Sequence, residues 1–341
     1  MAEHGPPHAR SSRATLLHAS LKRVPGLVAG VRQMRALWTR GMIAVIARAT
    51  AWGKQSVARR VLVFAALPDH LALALHGRES YVVNTADKVI GRSLYARGQF
   101  DFQKFEVAYR HIRKNADLAP AEAMTDLVLI DAGANIGSIC IPAVKRGLIA
   151  RAIAFELDPG NVRLLRINAI LNGVDAAIDI RNMAVGSAAG QVTIQHNASN
   201  FGDHRILLSD QGAGQRDDRS GDISIAMVAL DSIADDLDLS RTILWMDVQG
   251  FEAFALQGAG RFMEAGVPLI TEFSREELDS TKSFDTFLSV IAASGYAVFH
   301  DLNDPQATAV PVSPAALRAL SDRLTRHNTF TDLLFLPATK A

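Results

Sequence analysis

Short apolar runs alternate with amphipathic stretches along the chain from residue 127 onward. The apolar runs have the length of strands and occupy residues 127–133, 151–157, 178–185, 242–248, 267–273, 296–302 and 332–337. Between several of them, residues 135–146, 159–172, 251–265 and 281–294 carry apolar positions at helical spacing. Strands that alternate with helices are typical of a parallel sheet with helices on both faces. The pattern therefore predicts an α/β fold built on a doubly wound sheet of seven strands.

Further segments are predicted to accompany this sheet. Residues 81–87 form a short strand, and residues 102–114 form a basic amphipathic helix that we expect to roof the active site. Residues 191–197 are predicted as an added hairpin strand, and residues 210–222 as a polar, glycine-rich loop. We therefore place the main domain at residues 81–341.

The start of the chain differs from the rest in charge. Residues 1–60 carry eleven Lys or Arg and one acid, Glu3, which gives a net charge of +10. The remaining residues include 25 basic and 34 acidic ones, a net charge of −9. Residues 16–66 also show helical periodicity with arginines on the polar side. We therefore predict a basic helical extension over residues 1–80.

The sequence leaves the role of this extension open. It fits a helical cap on the main domain, an organellar transit peptide, or a surface that contacts anionic membrane lipid through residues 13–60. Basic residues interrupt its apolar runs, so no membrane-spanning helix is predicted. The composition is ordinary for an enzyme, and the single cysteine, Cys140, lies in an apolar pattern. We expect a cytoplasmic protein, peripheral at the inner membrane surface in the lipid-binding alternative.

Several other chemistries lack their motifs. The histidines are scattered and neither HExxH nor paired-cysteine spacing occurs, so no metal site is expected. The GxSxG elbow and the GK[ST] phosphate loop are also missing. The body is acidic and the basic residues 1–60 include only Trp38 and Trp52 as aromatic residues, so nucleic acid is not an expected partner.

The strongest local signal is a glycine turn at the end of the first strand of the main sheet. Residues 127–137 read LVLIDAGANIG, and a helical stretch follows. Gly133 and Gly137 let backbone amides approach a ligand, and a helix start adds partial positive charge. A dinucleotide prefers GxGxxG spacing and no carboxylate against its pyrophosphate, whereas Asp131 favours the cationic S-adenosylmethionine. The alternative is a tight connection in which Asp131 merely caps the helix.

A second acid strengthens the ligand-binding interpretation. Glu156 lies at the end of the next strand, 23 positions after Gly133. A carboxylate at the carboxyl end of such a strand lies in the usual ligand crevice and can accept hydrogen bonds from both ribose hydroxyls. The alternative is an acid on the surface of the strand.

Several motifs together resemble those of FkbM-type methyltransferases and follow that family's order. They are IDAGANIG, AFELDPGNVRLLRINAILNG, NMAVGSAAGQVTI, ALDSI and WMDVQGFEAFALQGA, all within residues 80–338. The resemblance implies the Rossmann-like, seven-stranded fold of class I methyltransferases, with S-adenosylmethionine as the methyl donor.

The resemblance also implies roles for individual residues. The cofactor-binding set is Asp131, Gly133, Asn135 and Gly137 at the methionine end, Glu156 at the ribose, and Asn182, Met183 and Ala184 near the adenine. Asn161 and Asn168 are seven residues apart on one helical face, so we expect them to brace the crevice or to contact the cofactor.

The acceptor side needs a base. Methyl transfer from a sulfonium is an in-line displacement, so the protein mainly supplies alignment and removes the proton of the acceptor. The candidates are Asp247, Glu252, Glu272 and His204. Asp247 and Glu252 are the leading candidates. Asp247 lies at the carboxyl end of the strand at residues 242–248, where that end meets the crevice, and Glu252 follows the strand.

Two positions depart from the commoner family pattern. Trp245 stands where Lys is usual, and Gln249 stands where Glu is usual. An acidic substrate held by that lysine is therefore not expected. Trp245 either stacks on a sugar or ring face or packs in the core.

The acceptor class follows from the resemblance alone. It implies O-methylation of a hydroxyl on a carbohydrate, a glycolipid or a secondary metabolite. One alternative is a nicotinamide-dependent oxidoreductase that uses the same crevice, which Asp131 and the missing third glycine disfavour. The other is a non-catalytic, methyltransferase-like body that the basic extension tethers to lipid or to a partner.

Overall fold

The computed structural model describes residues 57–341 with several gaps. The gaps are residues 69, 76, 116–125, 196–204, 208–222, 305, 307, 328 and 339–341. His204, the loop predicted at residues 210–222 and most of the segment 13–60 therefore lie outside the described residues.

The chain divides into two compact units, Met1–Val63 and Phe64–Ala341. Of the first unit the structure describes residues 57–63, which are helical and begin α1 (Val57–Ala66). All other described elements belong to the second unit. The domain boundary predicted between residues 80 and 81 stays a prediction.

The second unit is an α/β structure. Its other helices are α2 (Ile90–Arg97), α3 (Phe102–Asn115), α4 (Cys140–Lys145), α5 (Pro159–Asn172), α6 (Glu252–Gln257), α7 (Gly260–Glu264), α8 (Arg275–Ser280), α9 (Phe284–Ala293) and α10 (Pro314–Arg326). Its strands are β1 (Leu71–Ala74), β2 (Tyr81–Asn84), β3 (Val128–Ala132), β4 (Arg151–Phe155), β5 (Ile178–Arg181), β6 (Ala184–Val185), β7 (Gly190–Gln195), β8 (Arg205–Leu207), β9 (Ile223–Val228), β10 (Thr242–Met246), β11 (Leu269–Phe273), β12 (Tyr296–Asp301), β13 (Val310–Pro311) and β14 (Thr331–Pro337). Short 3-10 helices span Asp175–Ala177, Leu230–Asp236 and Leu239–Arg241.

The main sheet has the order β13-β12-β14-β11-β10-β3-β4-β5. The strands from β11 to β5 are parallel, and β14 runs antiparallel to both of its neighbours. Seven of these strands are the predicted ones, and the two-residue strand β13 adds an eighth at one edge. The chain order reverses between β3 and β10, so their carboxyl ends flank the crevice where ligands bind in such sheets. The predicted Rossmann-like fold of class I methyltransferases is confirmed.

Three predicted segments are wrong in detail. The run 178–185 forms two strands in different sheets, because β6 leaves the main sheet and pairs with β9. Asn135 and Gly137 have positive φ angles of 50° and 93°, so the stretch before Cys140 is a turn and α4 begins late. The predicted helix 251–265 is divided in two, because α6 ends before Gly258. Strands β1 and β9 and helices α2, α8 and α10 were not predicted.

Alternate side chains of β3 enter two hydrophobic clusters on opposite faces of the main sheet. Leu129 joins the cluster that contains residues of α3, α4, α5 and the β1–β2 hairpin. Val128 and Ile130 join the cluster that contains residues of α6, α7, α9 and α10. Such strands, buried on both faces, are mostly apolar in sequence, and in β3 the exception is Asp131. In the part of the chain that the structure describes, no helix combines the length and hydropathy needed to cross a membrane.

Candidate functional site

An open cleft of about 520 Å³, including its solvent-filled mouth, lies at the carboxyl ends of β3, β4 and β10. Six residues of the predicted site line it, namely Gly133, Asn135, Glu156, Met183, Ala184 and Asp247. The fold therefore brings together residues that are up to 114 positions apart in the sequence.

The glycine turn after β3 is pressed against the turn after β10. Gly133 has a φ of 89°, and a Cβ atom there would lie 1.8 Å from the carbonyl oxygen of Asp247. The backbone N–H groups of Gly133 and Ala134 both donate to the carbonyl of Phe155 at 2.9 Å. Only glycine allows this approach. The absence of a side chain at Gly133 thus sets the position of Asp247 at the cleft.

Glu156 joins the glycine turn to the start of α5. Its Oε2 accepts a hydrogen bond from the backbone N–H of Asn135 at 2.9 Å, and its Oε1 accepts one from that of Asp158 at 2.8 Å. Burial raises the pKa of Glu156 to about 7. Nδ2 of Asn161 also donates to Oε1, at 3.4 Å. Glu156 lines the cleft, and its contact with the ribose hydroxyls stays a prediction.

Asp131 lies beneath the turn and is fully buried. Its Oδ2 accepts a hydrogen bond from the backbone N–H of Cys140 at 3.1 Å, whereas its Oδ1 has no hydrogen-bond partner. Burial raises the pKa of Asp131 to about 6. A buried carboxylate oxygen without a partner is costly, and a cationic ligand group would relieve that cost. Asp131 does not line the cleft, so its place at the cationic end of the donor stays a prediction.

Asn161 and Asn168 brace the crevice. Asn168 is fully buried, accepts from the N–H of Val82 at 2.7 Å and donates to the carbonyl of Ile136 at 3.0 Å. The side-chain amide of Asn161 donates to Oε1 of Glu156 at 3.4 Å. Bracing was one of the two roles expected for these residues. Direct contact with the cofactor stays a prediction, and so does the role of Gly137 beneath the turn.

Residues 182–184 follow β5 on the far side of the cleft. Asn182 donates from its side-chain amide to the carbonyls of Glu156 and Leu157, both at 2.9 Å. Met183 and Ala184 line the cleft with Leu157 and supply apolar surface. The adenine role predicted for this segment fits that surface but stays a prediction.

The acceptor-side carboxyl groups occupy different environments. Asp247 lines the cleft, and its Oδ1 accepts a hydrogen bond from Nε2 of Gln249 at 2.7 Å. Glu252 is 2% exposed, and its Oε1 accepts from the backbone N–H of Val248 at 3.0 Å. Burial and the charge of Glu252 raise the pKa of Asp247. Burial and the charge of Asp247 raise the pKa of Glu272.

Comparison with known families agrees with this geometry. Residues 131–298 match the model of the methyltransferase FkbM domain. The matched range begins at Asp131 and includes Glu156 and Asp247. The chain carries an FkbM methyltransferase domain.

Solved structures similar to this chain include other methyltransferases. The methyltransferase FkbM from Methylobacillus flagellatus KT is 16% identical with a TM-score of 0.37, and the match covers 73% of this chain and 55% of that chain. The precorrin-6y C5,15-methyltransferase from Geobacter metallireducens GS-15 is 13% identical with a TM-score of 0.34, covering 67% and 87%. An RNA methyltransferase from Salinibacter ruber in complex with S-adenosyl-L-homocysteine is 17% identical with a TM-score of 0.25, covering 49% and 75%. This chain thus spans little more than half the length of the Methylobacillus protein.

The unusual Trp245 of this FkbM domain is a core residue. It is 3% exposed, and its ring lies 6.2 Å from that of Phe105 on α3, measured between centroids. It does not line the cleft. Of the two roles expected for Trp245, packing in the core is therefore the one that the structure supports. Gln249 replaces an acid of the family pattern and lines the cleft beside Asp247.

Sequence reasoning missed a cation on this side of the FkbM domain. Nζ of Lys104 on α3 lies 2.5 Å from Oδ2 of Asp332 and 3.1 Å from Oδ1 of Asp101. Asp332 stands opposite Glu272 in the β11–β14 pair. The pairing joins elements more than 200 residues apart, so no local pattern predicts it. The basic amphipathic character of α3 was the signal available, and Lys104 does supply positive charge next to the acceptor-side acids.

Binding of the methyl donor to the FkbM domain should depend on pH. The ionised form of Glu156 accepts from two hydroxyls, and protonation removes acceptor capacity. Because burial raises the pKa of Glu156 to about 7, we expect affinity to be gained as pH rises through that value. One proton linked to binding corresponds to about a tenfold weaker Kd at a pH of about 6 than at about 8.

Calorimetric titration with S-adenosylhomocysteine across this pH range checks the expectation. The Glu156→Gln variant cannot ionise at this position and serves as the control, which should show little change in affinity above a pH of about 7. A wild-type affinity that is constant, or that increases as pH falls, would be incompatible with an ionised Glu156 as the acceptor.

Proposed function

We propose that this FkbM domain transfers the methyl group of S-adenosylmethionine to a hydroxyl oxygen of a carbohydrate, a glycolipid or a secondary metabolite. The observation that carries the proposal is the arrangement of Glu156 and Asp247 in one cleft, on either side of the glycine turn. One carboxyl group is suited to hold the ribose of the donor, and the other lies where an acceptor would approach.

The residues of the cleft fit the donor. Glu156 would accept from the ribose hydroxyls, and Asp131 would favour the ammonium group. Met183 and Ala184 give the adenine an apolar surface.

The chemistry required of the protein is modest. When bound, S-adenosylmethionine supplies a methyl group that needs no further activation. Asp247 would take the proton of the acceptor hydroxyl as the new carbon–oxygen bond forms and the carbon–sulfur bond breaks. The products are a methyl ether, S-adenosylhomocysteine and a protonated carboxyl group that loses its proton to solvent. Positioning acceptor and donor in line accounts for the remaining rate enhancement.

Asp247 is the base that the geometry favours. Glu252 is held by a backbone amide, and Glu272 does not line the cleft. Asp247 lines the cleft and accepts a hydrogen bond that favours its ionised form, while burial raises its pKa and so its basicity. His204 lies outside the described residues and stays a prediction.

Replacing this base should slow turnover without weakening donor binding. We expect Asp247→Asn to lower kcat by about 10²- to 10⁴-fold, the usual contribution of a general base, with a Kd for S-adenosylhomocysteine within about threefold of wild type. Asp247→Glu should restore part of the rate. Asp238→Asn is the matched control, because Asp238 is an exposed acid before the opposite end of the same strand. A kcat for Asp247→Asn that equals that of the control would remove Asp247 from the mechanism.

The acceptor class is tested by following the methyl group itself. Donor labelled in its methyl carbon is incubated with the purified chain and extracts of polar and lipid metabolites, and the labelled product is isolated. Mass spectrometry should find a gain of one methylene unit in an alkali-stable ether. Label in an ester, or on a nitrogen or carbon atom, would contradict hydroxyl methylation while leaving donor binding intact.

A further inference from the structure

Exposed apolar side chains are concentrated on one region of the second unit. Among the described residues, ten large apolar side chains are exposed, and six of them lie on β1 and α5 or directly beside β1. These six are Leu71, Leu73, Leu75, Ile167, Ile170 and Leu171. Leu75 is 63% exposed and Ile170 is 65% exposed. Single exposed apolar residues are ordinary, but a concentration of this kind marks an interaction surface.

The two elements are neighbours because both border β2. One edge of β2 pairs with β1. The other edge is bound by asparagine side chains of α5, since Asn168 accepts from the N–H of Val82 and Asn172 accepts from that of Ser80. The same amides donate back to the carbonyls of Val82 and Ser80. The side chains of α5 thus take the place of a third strand and fix the helix beside the hairpin.

The register of the hairpin turns its leucines away from the core. Ala74 stands opposite Tyr81, and both are buried. Leu73 stands opposite Val82, and side chains alternate between the two faces of a strand. Leu71, Leu73 and Leu75 therefore share the outer face of the hairpin, next to the helix that β2 carries on its other edge.

The exposed side of α5 is basic as well as apolar. Its outward residues are Arg163, Arg166, Ile167, Ile170 and Leu171, and the helix contains no acid. Among the described residues, no ion pair joins either arginine to a carboxylate. The next acids along the chain are Asp175, beyond the end of the helix, and Asp179, which pairs with Arg181 at 2.8 Å.

We propose that these eight residues, Arg163 and Arg166 with the six exposed apolar side chains, form a face that docks on an anionic lipid surface. Apolar side chains flanked by cations and free of acids are the pattern of interfacial membrane contacts. Headgroups of anionic lipids would pair with the arginines, while the leucines and isoleucines enter the boundary of the acyl chains. We refer to these residues as the apolar-basic face.

Charge argues against a second copy of the chain as the occupant of this face. A two-fold interface would enclose the arginines of both copies, and the outward side of α5 offers no acid to pair with them. An anionic bilayer attracts these arginines.

Vesicle sedimentation of the full chain tests the proposal. Phosphatidylcholine vesicles with and without phosphatidylglycerol are compared for wild type, for Arg163→Glu with Arg166→Glu, and for Ile167→Ser with Ile170→Ser and Leu171→Ser. We expect binding to the anionic vesicles alone, and a loss of about tenfold or more in partitioning for each variant. Basic residues outside the face are unchanged throughout, so the loss reports on the face itself.

Matched controls lie outside the apolar-basic face. Arg323→Glu with Arg326→Glu on α10 makes the same change in charge, and Phe330→Ser removes another exposed apolar side chain. These controls should partition like wild type within about threefold. Thermal unfolding establishes that each variant is folded, and the single change Ile170→Glu repeats the test with the least disturbance.

Three results would overturn the proposal. The face variants could partition like the controls, or wild type could bind neutral vesicles as strongly as anionic ones. In the third result, sedimentation equilibrium shows that the wild type is a dimer and that the serine variant is a monomer, while vesicle binding by the serine variant is unchanged. That outcome would make the face an interface between copies of the chain.

Discussion

Glu156→Ala is expected to weaken the binding of S-adenosylhomocysteine by about a hundredfold or more. The carboxylate would accept from two ribose hydroxyls, and a hydrogen bond to a charged group contributes about 1.5–3 kcal/mol. A factor of ten in affinity corresponds to about 1.4 kcal/mol, so even the lower estimate for two bonds gives about two orders of magnitude. Calorimetric titration measures the change.

The control must separate ribose recognition from damage to the cleft, because Glu156 also holds the amides of Asn135 and Asp158. Glu79→Ala removes an equally buried carboxyl group that pairs with Arg146 at 2.8 Å, and it should reduce stability but not donor affinity. An analogue of S-adenosylhomocysteine without its 2′-hydroxyl allows a double-mutant cycle, in which one change is in the protein and the other is in the ligand. Loss of that hydroxyl should weaken binding to wild type and not to Glu156→Ala. Equal losses in both proteins would show that Glu156 does not contact it.

Gly133→Ala is expected to reduce the free energy of unfolding by at least about 4 kcal/mol, or to prevent folding. Its φ of 89° strains any side chain, and the new Cβ would overlap the carbonyl oxygen of Asp247 at 1.8 Å. The turn after β3 or the turn after β10 would have to move. Changes above about 4 kcal/mol arise from few mechanisms, of which a backbone overlap at a special φ is one. Urea unfolding gives the value.

Gly147→Ala isolates the effect of the backbone angle. Gly147 has a φ of 67°, and a Cβ added there would have no atom within 4 Å, so we expect a loss of about 1–2 kcal/mol from strain alone. The difference between the two losses in the free energy of unfolding measures the cost of the close contact between the turn after β3 and the turn after β10. Equal losses would mean that the contact at Asp247 relaxes without cost.

The strands and the cleft at their carboxyl ends were predictable because their signals are local. A strand buried on both faces is mostly apolar, so β3, β4, β10 and β11 could be read directly from the sequence. The glycine turn and Glu156 lie at the carboxyl ends of such strands, where the fold places ligands. Their separation in the sequence was no obstacle, because parallel strands bring their carboxyl ends to one edge of the sheet.

Elements with weak or conflicting signals were missed. Helix α10 has a capping serine, Ser313, whose Oγ accepts from the N–H of Ala316, and Pro314 in its first turn. Those signals were present but were not combined with the apolar positions that follow. Strand β1 lies within residues 1–80, which were predicted as a helical extension, and four residues of alternating leucine and alanine fit either structure.

Contacts between distant elements were beyond the sequence. Asn168 was expected to brace the crevice, but its pairing with Val82 on β2 depends on a hairpin 86 residues away. Lys104 reaches Asp332 only because α3 covers that face of the sheet. The choice of Asp247 over Glu272 as base likewise depends on which side chain lines the cleft, and no local motif encodes that.

The most direct test of the central claim is a crystal structure of the chain with S-adenosylhomocysteine. We expect both ribose hydroxyls within hydrogen-bond distance of the Glu156 carboxylate and the sulfur of the ligand on the side of the cleft lined by Asp247. A ligand bound at another place, or a cleft that takes up NADH in preference to S-adenosylhomocysteine, would contradict the assignment of this cleft as a methyl-donor site.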